Sequence, residues 1–395
     1  MAGTRHELSA RVLTSLAEVE KSADAWDELR VQCSASAFIS PHLLTAWLAN
    51  LGTDHRPFVV VVEDADGRLR AVAPLVRRGR LAFNLPGRAL VAGELLVSPA
   101  DSAPAWVEVV RTVCEHREVS LTILPCLTPG AEGVAGARAA CKALGVPHRA
   151  WHRFERYRLP LEGSSLEAWL ATWSRNGRQQ LGKKRRRLER RGELVFRRLS
   201  GPDGYPIVRE LHLKQWPTTK TVSWLHTPAG ERVDKALAEQ LSSGTLVLEL
   251  DGKPLAGIFW LDSGTRRTAY YAGRDLTFEI GAPGELVFVD FVRRAFEDGV
   301  TELDTMGYGR AKDHWRLELQ DGWELAFGPK NLAGRLTVAT RRAQLRLRRR
   351  AVFAPEEDPD DRSGKTSTGA AVASPFGDSH GFRATRRSVA QARTS

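Results

Sequence analysis

The stretch 246–316, LVLELDGKPLAGIFWLDSGTRRTAYYAGRDLTFEIGAPGELVFVDFVRRAFEDGVTELDTMGYGRAKDHWR, decides the fold that we predict for this chain. Two apolar runs flank Asp251 and Gly252, and an Asp-Gly pair between such runs is a strong signal for a tight β-hairpin. A third run, RRTAYYAG (266–273), is rich in tyrosine and ends at a glycine. The stretch therefore predicts three consecutive strands at its start.

The segment after these strands predicts a helix whose start can bind an anion. Apolar residues in ELVFVDFVRRAFEDG (285–299) recur at helical spacing until Gly299. Free backbone N–H groups and the positive end of the helix dipole favour an anion such as a pyrophosphate at this point. The predicted cofactor-binding residues are Gly281, Ala282, Gly284, Glu285 and Leu286. The alternative is that the two glycines only make a turn before the helix.

The first half of the chain repeats this order of elements. It contains a hairpin pattern at 57–79, a strand pattern at 89–97, a helix pattern at 102–116 and a strand pattern at 119–127. Two occurrences of the same order indicate an internal duplication. The strand-to-helix loop of the first copy, LLVSPADSAPAW (95–106), has no glycine. Close backbone approach to a pyrophosphate is therefore easier in the second copy.

Positive charge is concentrated in two segments. The formal net charge is +11, and eleven Lys and Arg lie between 171 and 200 against Glu189 and Glu193. Between 333 and 350, seven arginines are accompanied by no acidic residue. Both segments are predicted to be basic helices. They are either solvated faces or surfaces for phosphates, a nucleic acid or an anionic membrane.

Several function classes lack their characteristic residues. The four cysteines show neither paired spacing nor clustering with histidine, so we predict no disulfide framework and no metal site. No Ser-His-Asp or Cys-His order indicates a hydrolase. No apolar run approaches the ~20 residues of a membrane span, and the start of the chain has no apolar signal-peptide core. We therefore expect a cytoplasmic protein.

The segment TELDTMGYGRAKDHW (301–315) resembles the end of the acyltransferase core in the CelD-like branch of the GNAT superfamily, which is related to the FemAB peptidyl transferases. The matching positions are Asp304, Gly307, Gly309, Lys312 and Trp315. Ala311 stands where that pattern usually has a tyrosine. The resemblance extends at low similarity over 38–332.

The resemblance implies a mixed α/β fold of tandem GNAT-like domains, each a mixed sheet flanked by helices. The expected parts are an N-terminal domain at 1–160 and a C-terminal domain with the cofactor site at 161–332. After Leu332 the chain leaves the family pattern, and its composition predicts a basic helix at 333–353 and a disordered tail at 354–395. The first domain then serves as a platform that shapes the acceptor cleft. Arg178 matches an arginine of the family near the start of a basic helix. It is either a partner for a cofactor phosphate or acceptor carboxylate, or a surface arginine.

A GNAT-type transfer needs no covalent intermediate, because an amine attacks a thioester while a strand amide stabilises the oxyanion. Asp304 is the first choice for a base or for a carboxylate that positions the acceptor, although it could also cap the following turn. Tyr308 or Lys312 would supply a proton or a charge to the leaving group. Glu249 on the first hairpin strand is a further candidate.

Three functions follow from these observations. The favoured one is an N-acyltransferase that uses acetyl-CoA or another acyl-CoA, because the loop at 281–284 fits a pyrophosphate. The donor could instead be aminoacyl-tRNA, as the FemAB relationship implies. The third is a non-catalytic protein whose basic helices bind nucleic acid or an anionic membrane. The expected acceptor is a small molecule or a cell-envelope precursor. Peripheral contact with a membrane is compatible with the sequence.

Overall fold

The structure, a computed structural model, describes residues 7–50, 54–84, 95–216, 224–278, 281–307 and 315–341. The chain divides into two units, Met1–Thr340 and Arg341–Ser395. All elements named below belong to the first unit. The predicted tail at 354–395 lies outside the described residues, as does the predicted basic helix beyond 341. Residues 332–341, at the start of that helix, are helical.

The first half of the chain forms a hairpin, further strands and packed helices. Its elements are β1 (Ser9–Leu13), α1 (Leu16–Lys21), α2 (Ala23–Gln32), α3 (Pro41–Asn50), β2 (Arg56–Glu63), β3 (Leu69–Arg78), β4 (Leu81–Asn84), β5 (Leu96–Val97), α4 (Ser102–Glu115), β6 (Leu121–Leu127), α5 (Val134–Ala143) and β7 (His148–Pro160). The hairpin predicted around Asp66 and Gly67 joins β2 and β3, which pair antiparallel. The helix predicted at 102–116 is α4.

The second half contains the stretch from which the fold was predicted. Its elements are α6 (Leu166–Ala171), α7 (Arg175–Glu189), β8 (Leu194–Ser200), α8 (Gly201–Gln215), α9 (Pro228–Gln240), β9 (Ser243–Leu250), β10 (Lys253–Ser263), β11 (Arg266–Arg274), α10 (Pro283–Glu297), β12 (Glu302–Gly307) and β13 (Glu318–Phe327). The three predicted strands are β9, β10 and β11, and the predicted helix is α10. The basic helix predicted within 171–200 is α7.

The Asp-Gly turn between β9 and β10 has the geometry that the sequence predicts. Asp251 and Gly252 have φ angles of 50° and 73°, and two consecutive positive φ angles are characteristic of a type I′ hairpin turn. Asp251 Oδ1 also accepts a hydrogen bond of 2.8 Å from the backbone N–H of Glu193. A Cβ on Gly192 would lie 2.1 Å from this carboxylate, so a larger residue there would displace the Asp251 side chain.

The two halves share one strand-pairing scheme. The sheet has the order β1-β2-β3-β4-β6-β13-β7-β12-β11-β10-β9-β8, and β5 pairs with β3 outside this order. In the first half, β3 pairs antiparallel with β4, and β4 pairs parallel with β6. In the second half, β10 pairs antiparallel with β11, and β11 pairs parallel with β12. The repeated order read from the sequence is therefore a repeated topology.

Two strands depart from the order read from the sequence. The counterpart of β11 in the first half is β4, whereas the predicted strand at 89–97 is described only at 95–97 and contributes the two-residue β5. β13 pairs with β6 of the first half on one side and with β7 on the other. One continuous sheet therefore runs through both halves.

Helices cover both faces of the second half of the sheet. Trp260 of β10 packs against Phe291 of α10 on one face, while Phe259 packs in a cluster with Val208 of α8 on the other. Because neighbouring residues of a strand point to opposite faces, strands buried on both sides are continuous apolar runs. Among the described residues, no helix is long and apolar enough to span a bilayer.

Candidate active site

The candidate active site lies where two parallel strands of the second half separate. β11 and β12 pair only from Arg266–Glu302 to Thr268–Asp304. β11 nevertheless continues to Arg274, and β12 turns to pair with β7 at Gly307. The strands diverge toward their carboxyl ends, and in α/β sheets such an end is where ligands bind.

A β-bulge interrupts β11 at the mouth of this cleft. In the pairing of β10 with β11, Trp260 is opposite Ala269 and Phe259 is opposite Tyr271, so Tyr270 is the extra residue. A bulge leaves a residue outside the regular ladder and bends the strand. The bulge begins two residues after Thr268, the last residue that pairs with β12. The bulge therefore lies close to the cleft.

The two glycines at the start of α10 have different environments. Gly281 has a φ angle of 81°, and a Cβ on it would lie 2.7 Å from Leu188 Cγ of α7. Gly281 is therefore required for the packing of two helices. A Cβ on Gly284 would meet only Arg274 Cδ, at 3.8 Å. Of the two, Gly284 is the one beside open space.

The other predicted cofactor-binding residues of α10 have separate roles. Ala282 is the N-cap residue and has the left-handed conformation, with φ 45° and ψ 62°. Glu285 Oε2 lies 2.5 Å from Lys184 Nζ of α7. The Leu286 side chain is 5% exposed and belongs to the core between α10 and the sheet. Leu286 therefore fixes the helix, while Glu285 is at the surface of the site.

A cavity of about 340 Å³ extends along α7 to the first turn of α10. It is lined by Trp173, Ser174, Gly177, Gln180, Lys184 and Glu285. At its far end, Ser174 Oγ caps α7 by accepting a hydrogen bond of 3.0 Å from the N–H of Gly177. The ion pair of Lys184 and Glu285 is thus part of the cavity wall.

Arg178 lies near the start of α7 but is bound to backbone carbonyls. Its Nη1 donates to the carbonyls of Ala171 at 3.1 Å and Trp173 at 2.6 Å, just after the end of α6. Cationic groups at a helix C-terminus satisfy its last carbonyls and stabilise its dipole. In this structure the guanidinium of Arg178 therefore links α6 to α7.

Trp315, the last residue of the resemblance motif, fastens the chain to α10. Its ring stacks on Phe288 with centroids 3.9 Å apart and an angle of 13°. Its carbonyl accepts a hydrogen bond of 3.0 Å from Trp169 Nε1. Trp169 also packs edge-on against Trp173 in the cavity wall. An aromatic cluster therefore supports the cavity from behind.

Asp304 lies at the apex of the cleft and is 2% exposed. Its Oδ2 is 3.2 Å from Arg156 Nη1 of β7 and 3.2 Å from Arg266 Nη2 of β11. Arg266 also contacts Glu302, at 3.2 Å. Asp304 is therefore part of a buried charge network that joins the three strands β7, β12 and β11.

The structure does not bring Glu249 to this cleft. Glu249 is 7% exposed on β9, and Arg197 Nε of the edge strand β8 donates to it at 3.0 Å. β10 and β11 stand between β9 and the cleft. Tyr308 and Lys312 lie outside the described residues. Within the described ranges, no group of three or more His, Cys, Asp or Glu side chains could hold a metal ion.

Residues that the sequence did not single out also surround the cleft. Arg274 ends β11 beside Gly284, and its position directly after the predicted strand at 266–273 was a usable signal. Tyr270, at the bulge, donates a hydrogen bond of 2.7 Å to the fully buried Asp234 of α9. Burial, followed by the nearby Asp234 carboxylate, raises the pKa of Tyr270 well above its usual value. Nothing in the sequence around Asp234 predicted this contact.

Residues 175–316 match the family model for an acetyltransferase (GNAT) domain. This segment is a GNAT acetyltransferase domain. The match extends from the start of α7 to Arg316 and therefore includes β11 and β12 of the cleft, the bulge and the start of α10. A search of curated proteins finds no match.

The fold of the whole chain is similar to that of solved structures. FemX aligns with a TM-score of 0.59 and 12% identity, covering 77% of this chain and 95% of that one. The C-terminal domain (DUF2156) of a putative lysylphosphatidylglycerol synthetase from Agrobacterium fabrum aligns with a TM-score of 0.52 and 18% identity, covering 86% and 97%. At such identities the likeness concerns the fold. The predicted tandem GNAT-like α/β fold is confirmed.

Proposed function

We propose that this chain is an N-acyltransferase that moves an acetyl or other acyl group from acyl-CoA to an amine or hydroxyl. The observation that carries the proposal is the cleft between β11 and β12 together with the open start of α10. The match to a GNAT domain supports transferase chemistry. The use of acyl-CoA as the donor is what we propose in addition. The acceptor that we propose is a small molecule or a cell-envelope precursor in the cytoplasm.

The donor's diphosphate would bind at the start of α10. A helix N-terminus offers free N–H groups and a partial positive charge to an anion. Gly284 leaves space there for close backbone approach, and the Arg274 side chain is adjacent. Lys184 supplies a second cation in the cavity wall. The residues present therefore fit a diphosphate, although the Glu285 carboxylate opposes it.

The acyl group would then lie in the cleft between β11 and β12. A backbone N–H at the bulge near Tyr270 would stabilise the oxyanion. The acceptor nitrogen or oxygen gives its proton to an ordered water and forms a bond to the carbonyl carbon, while the carbon–sulfur bond breaks and the leaving thiolate gains a proton. Tyr308 or Lys312 would provide that proton.

Asp304 would position the acceptor through its arginines. Two guanidinium groups contact its carboxylate, and an anion engaged in this way is a weak proton acceptor. Of the two roles predicted from the sequence, acceptor positioning is therefore the one that we propose. Arg178, held by carbonyls, would shape the cavity and leave phosphate binding to Lys184 and Arg274.

Calorimetric titration of the purified chain with acetyl-CoA tests the proposal. Gly284→Val should weaken binding about tenfold or more, or roughly 1.4 kcal/mol, because the added side chain obstructs backbone approach. Gly182→Val is the matched control, since a Cβ on this helical glycine meets only the Arg186 side chain, at 3.6 Å. Equal affinities for both folded variants would contradict the site. No binding to the parent at millimolar acetyl-CoA would contradict the function.

A further inference from the structure

The outer face of α7 carries a stripe of four cations. Lys183, Arg186, Arg187 and Arg190 follow the spacing i, i+3, i+4, i+7, and all four side chains are exposed. Residues at this spacing lie on one side of a helix. Leu188, on the other side, is buried against the core. The stripe therefore faces solvent, away from the cavity.

The stripe differs from several basic residues near it, which are neutralised. Four neighbouring cations form ion pairs: Lys184 with Glu285, Arg185 with Glu189, Arg197 with Glu249 and Arg198 with Asp298. In the part of the chain that the structure describes, no carboxylate lies within ion-pair distance of the four stripe residues. Like charges one helical turn apart repel each other. A helix that keeps four of them together is stabilised when an anion binds along it.

The chemistry of the stripe selects among anionic partners. Membrane-surface helices bury an apolar face beside the basic one, but the described residues of α7 include no exposed large apolar side chain. Three of the four cations are arginines, whose planar guanidinium binds phosphate oxygens in pairs. Seven helical steps place the four charges within roughly 10 Å. Each strand of a B-form duplex presents a phosphate about every 3.4 Å of its helix axis, which is comparable with this density.

We propose that the stripe at Lys183, Arg186, Arg187 and Arg190 binds the phosphate backbone of a nucleic acid. Contacts to phosphates carry no base information, so this binding is independent of sequence. The surface is separate from the acyl-CoA cavity and does not depend on the proposed transferase function. It gives a role to the charge concentration that the proposed acyl transfer leaves unused.

The test compares two variants of the full chain with equal loss of charge. In the stripe variant, the four stripe residues are replaced by glutamine. In the matched control, four cations that already form surface ion pairs are replaced by glutamine: Arg11, Arg185, Lys214 and Lys235. The basic C-terminal segment is the same in both variants. Circular dichroism verifies that both are folded.

Fluorescence anisotropy with a labelled 20-base-pair DNA duplex and a 20-nucleotide RNA measures binding between 50 and 250 mM KCl. The stripe variant should bind at least about tenfold more weakly at low salt. Its slope of log affinity against log salt should be flatter by up to about 3.6 units on the duplex, near 0.9 per lost contact. The control should keep the affinity and slope of the parent.

Three results would overturn this inference. The first is a parent that binds neither nucleic acid at low salt. The second is an equal loss in both variants, which would mean that only net charge matters. The third is a parent that binds phosphatidylglycerol vesicles through the stripe and leaves both nucleic acids unbound.

Discussion

Lys184 Nζ and Glu285 Oε2 lie 2.5 Å apart, so an ion pair joins the basic helix α7 to the first turn of α10. The side chains of the pair are 29% and 13% exposed, and both line the cavity. A diphosphate at the start of α10 would compete with the Glu285 carboxylate for Lys184. The pair therefore sets how strongly this site attracts an anion.

The first prediction follows from this competition. Lys184→Gln should weaken acetyl-CoA binding by about tenfold, because it removes a cation from the site while the Glu285 carboxylate stays beside the diphosphate. Glu285→Gln should strengthen binding, because Lys184 is then free to contact a phosphate. Calorimetric titration measures both, and acetyl-pantetheine, which lacks the diphosphate, is the control ligand. Equal effects on the two ligands would contradict a diphosphate contact.

The second prediction concerns Asp304 at the apex of the cleft. Asp304→Asn should lower turnover of an acyl-CoA substrate by about 100-fold with acetyl-CoA affinity unchanged, since Arg156 and Arg266 lose the charge that orients them. The shape of the pH–rate profile should stay the same for a positioning carboxylate. If the acidic limb of the pH–rate profile is lost in Asp304→Asn, Asp304 is instead the general base that takes the proton of the acceptor.

Glu302→Gln is the matched control for Asp304, because Glu302 contacts the same Arg266 but is more exposed. We expect at most about a tenfold decrease in turnover for this variant, in line with the small net contribution of exposed pairs. A decrease as large as that of Asp304→Asn would mean that turnover depends on Arg266 alone.

The sequence predicted the elements whose signals are local. The Asp251-Gly252 turn needs two positive φ angles, which those residue types adopt, and α10 shows its apolar period directly. The insertion of β13 between β6 and β7 depends on pairing between residues far apart in sequence. No short pattern encodes such pairing, so the single continuous sheet was not predicted.

The candidate site was predicted only in part for the same reason. Gly284 was found because a glycine before a helix is a local signal. Arg178 binds carbonyls after the end of α6, and Asp304 contacts two arginines. Both sets of contacts depend on how distant elements pack. Glu249 was chosen for its strand position, yet the order of strands places it away from the cleft.

The third prediction tests the contact between the bulge and α9. Tyr270→Phe removes one hydrogen-bond donor from the buried Asp234, so the free energy of unfolding should decrease by about 1.5–3 kcal/mol. Tyr205→Phe is the control, because its hydroxyl contacts neutral groups, the Glu231 carbonyl at 3.4 Å and the Tyr271 hydroxyl. Urea denaturation should show a smaller decrease for Tyr205→Phe. Equal decreases in the free energy of unfolding would show that the hydrogen bond from Tyr270 to Asp234 stabilises the fold no more than the contacts of Tyr205 do.

The fourth prediction concerns pH and His212 of α8, whose Nδ1 is 2.8 Å from the carbonyl oxygen of Ala272 on β11. Burial lowers the pKa of His212 below its ordinary 6.5. The unfolded chain therefore binds more protons as the pH falls below about 6.5, and folding loses stability from that point downward. Melting between pH 7.5 and 5 should show a smaller decrease in Tm for His212→Gln than for the parent. Identical decreases in Tm would show that the pKa of His212 is the same in the folded and the unfolded chain, which would contradict the prediction.

The most direct test of the proposed donor site is a crystal structure of the chain with acetyl-CoA. We predict that a diphosphate oxygen lies within about 3.2 Å of the backbone nitrogen of Gly284, with Arg274 on the same diphosphate. The thioester should then lie between β11 and β12 near Tyr270. Acetyl-CoA bound elsewhere, with the start of α10 unchanged, would contradict the account.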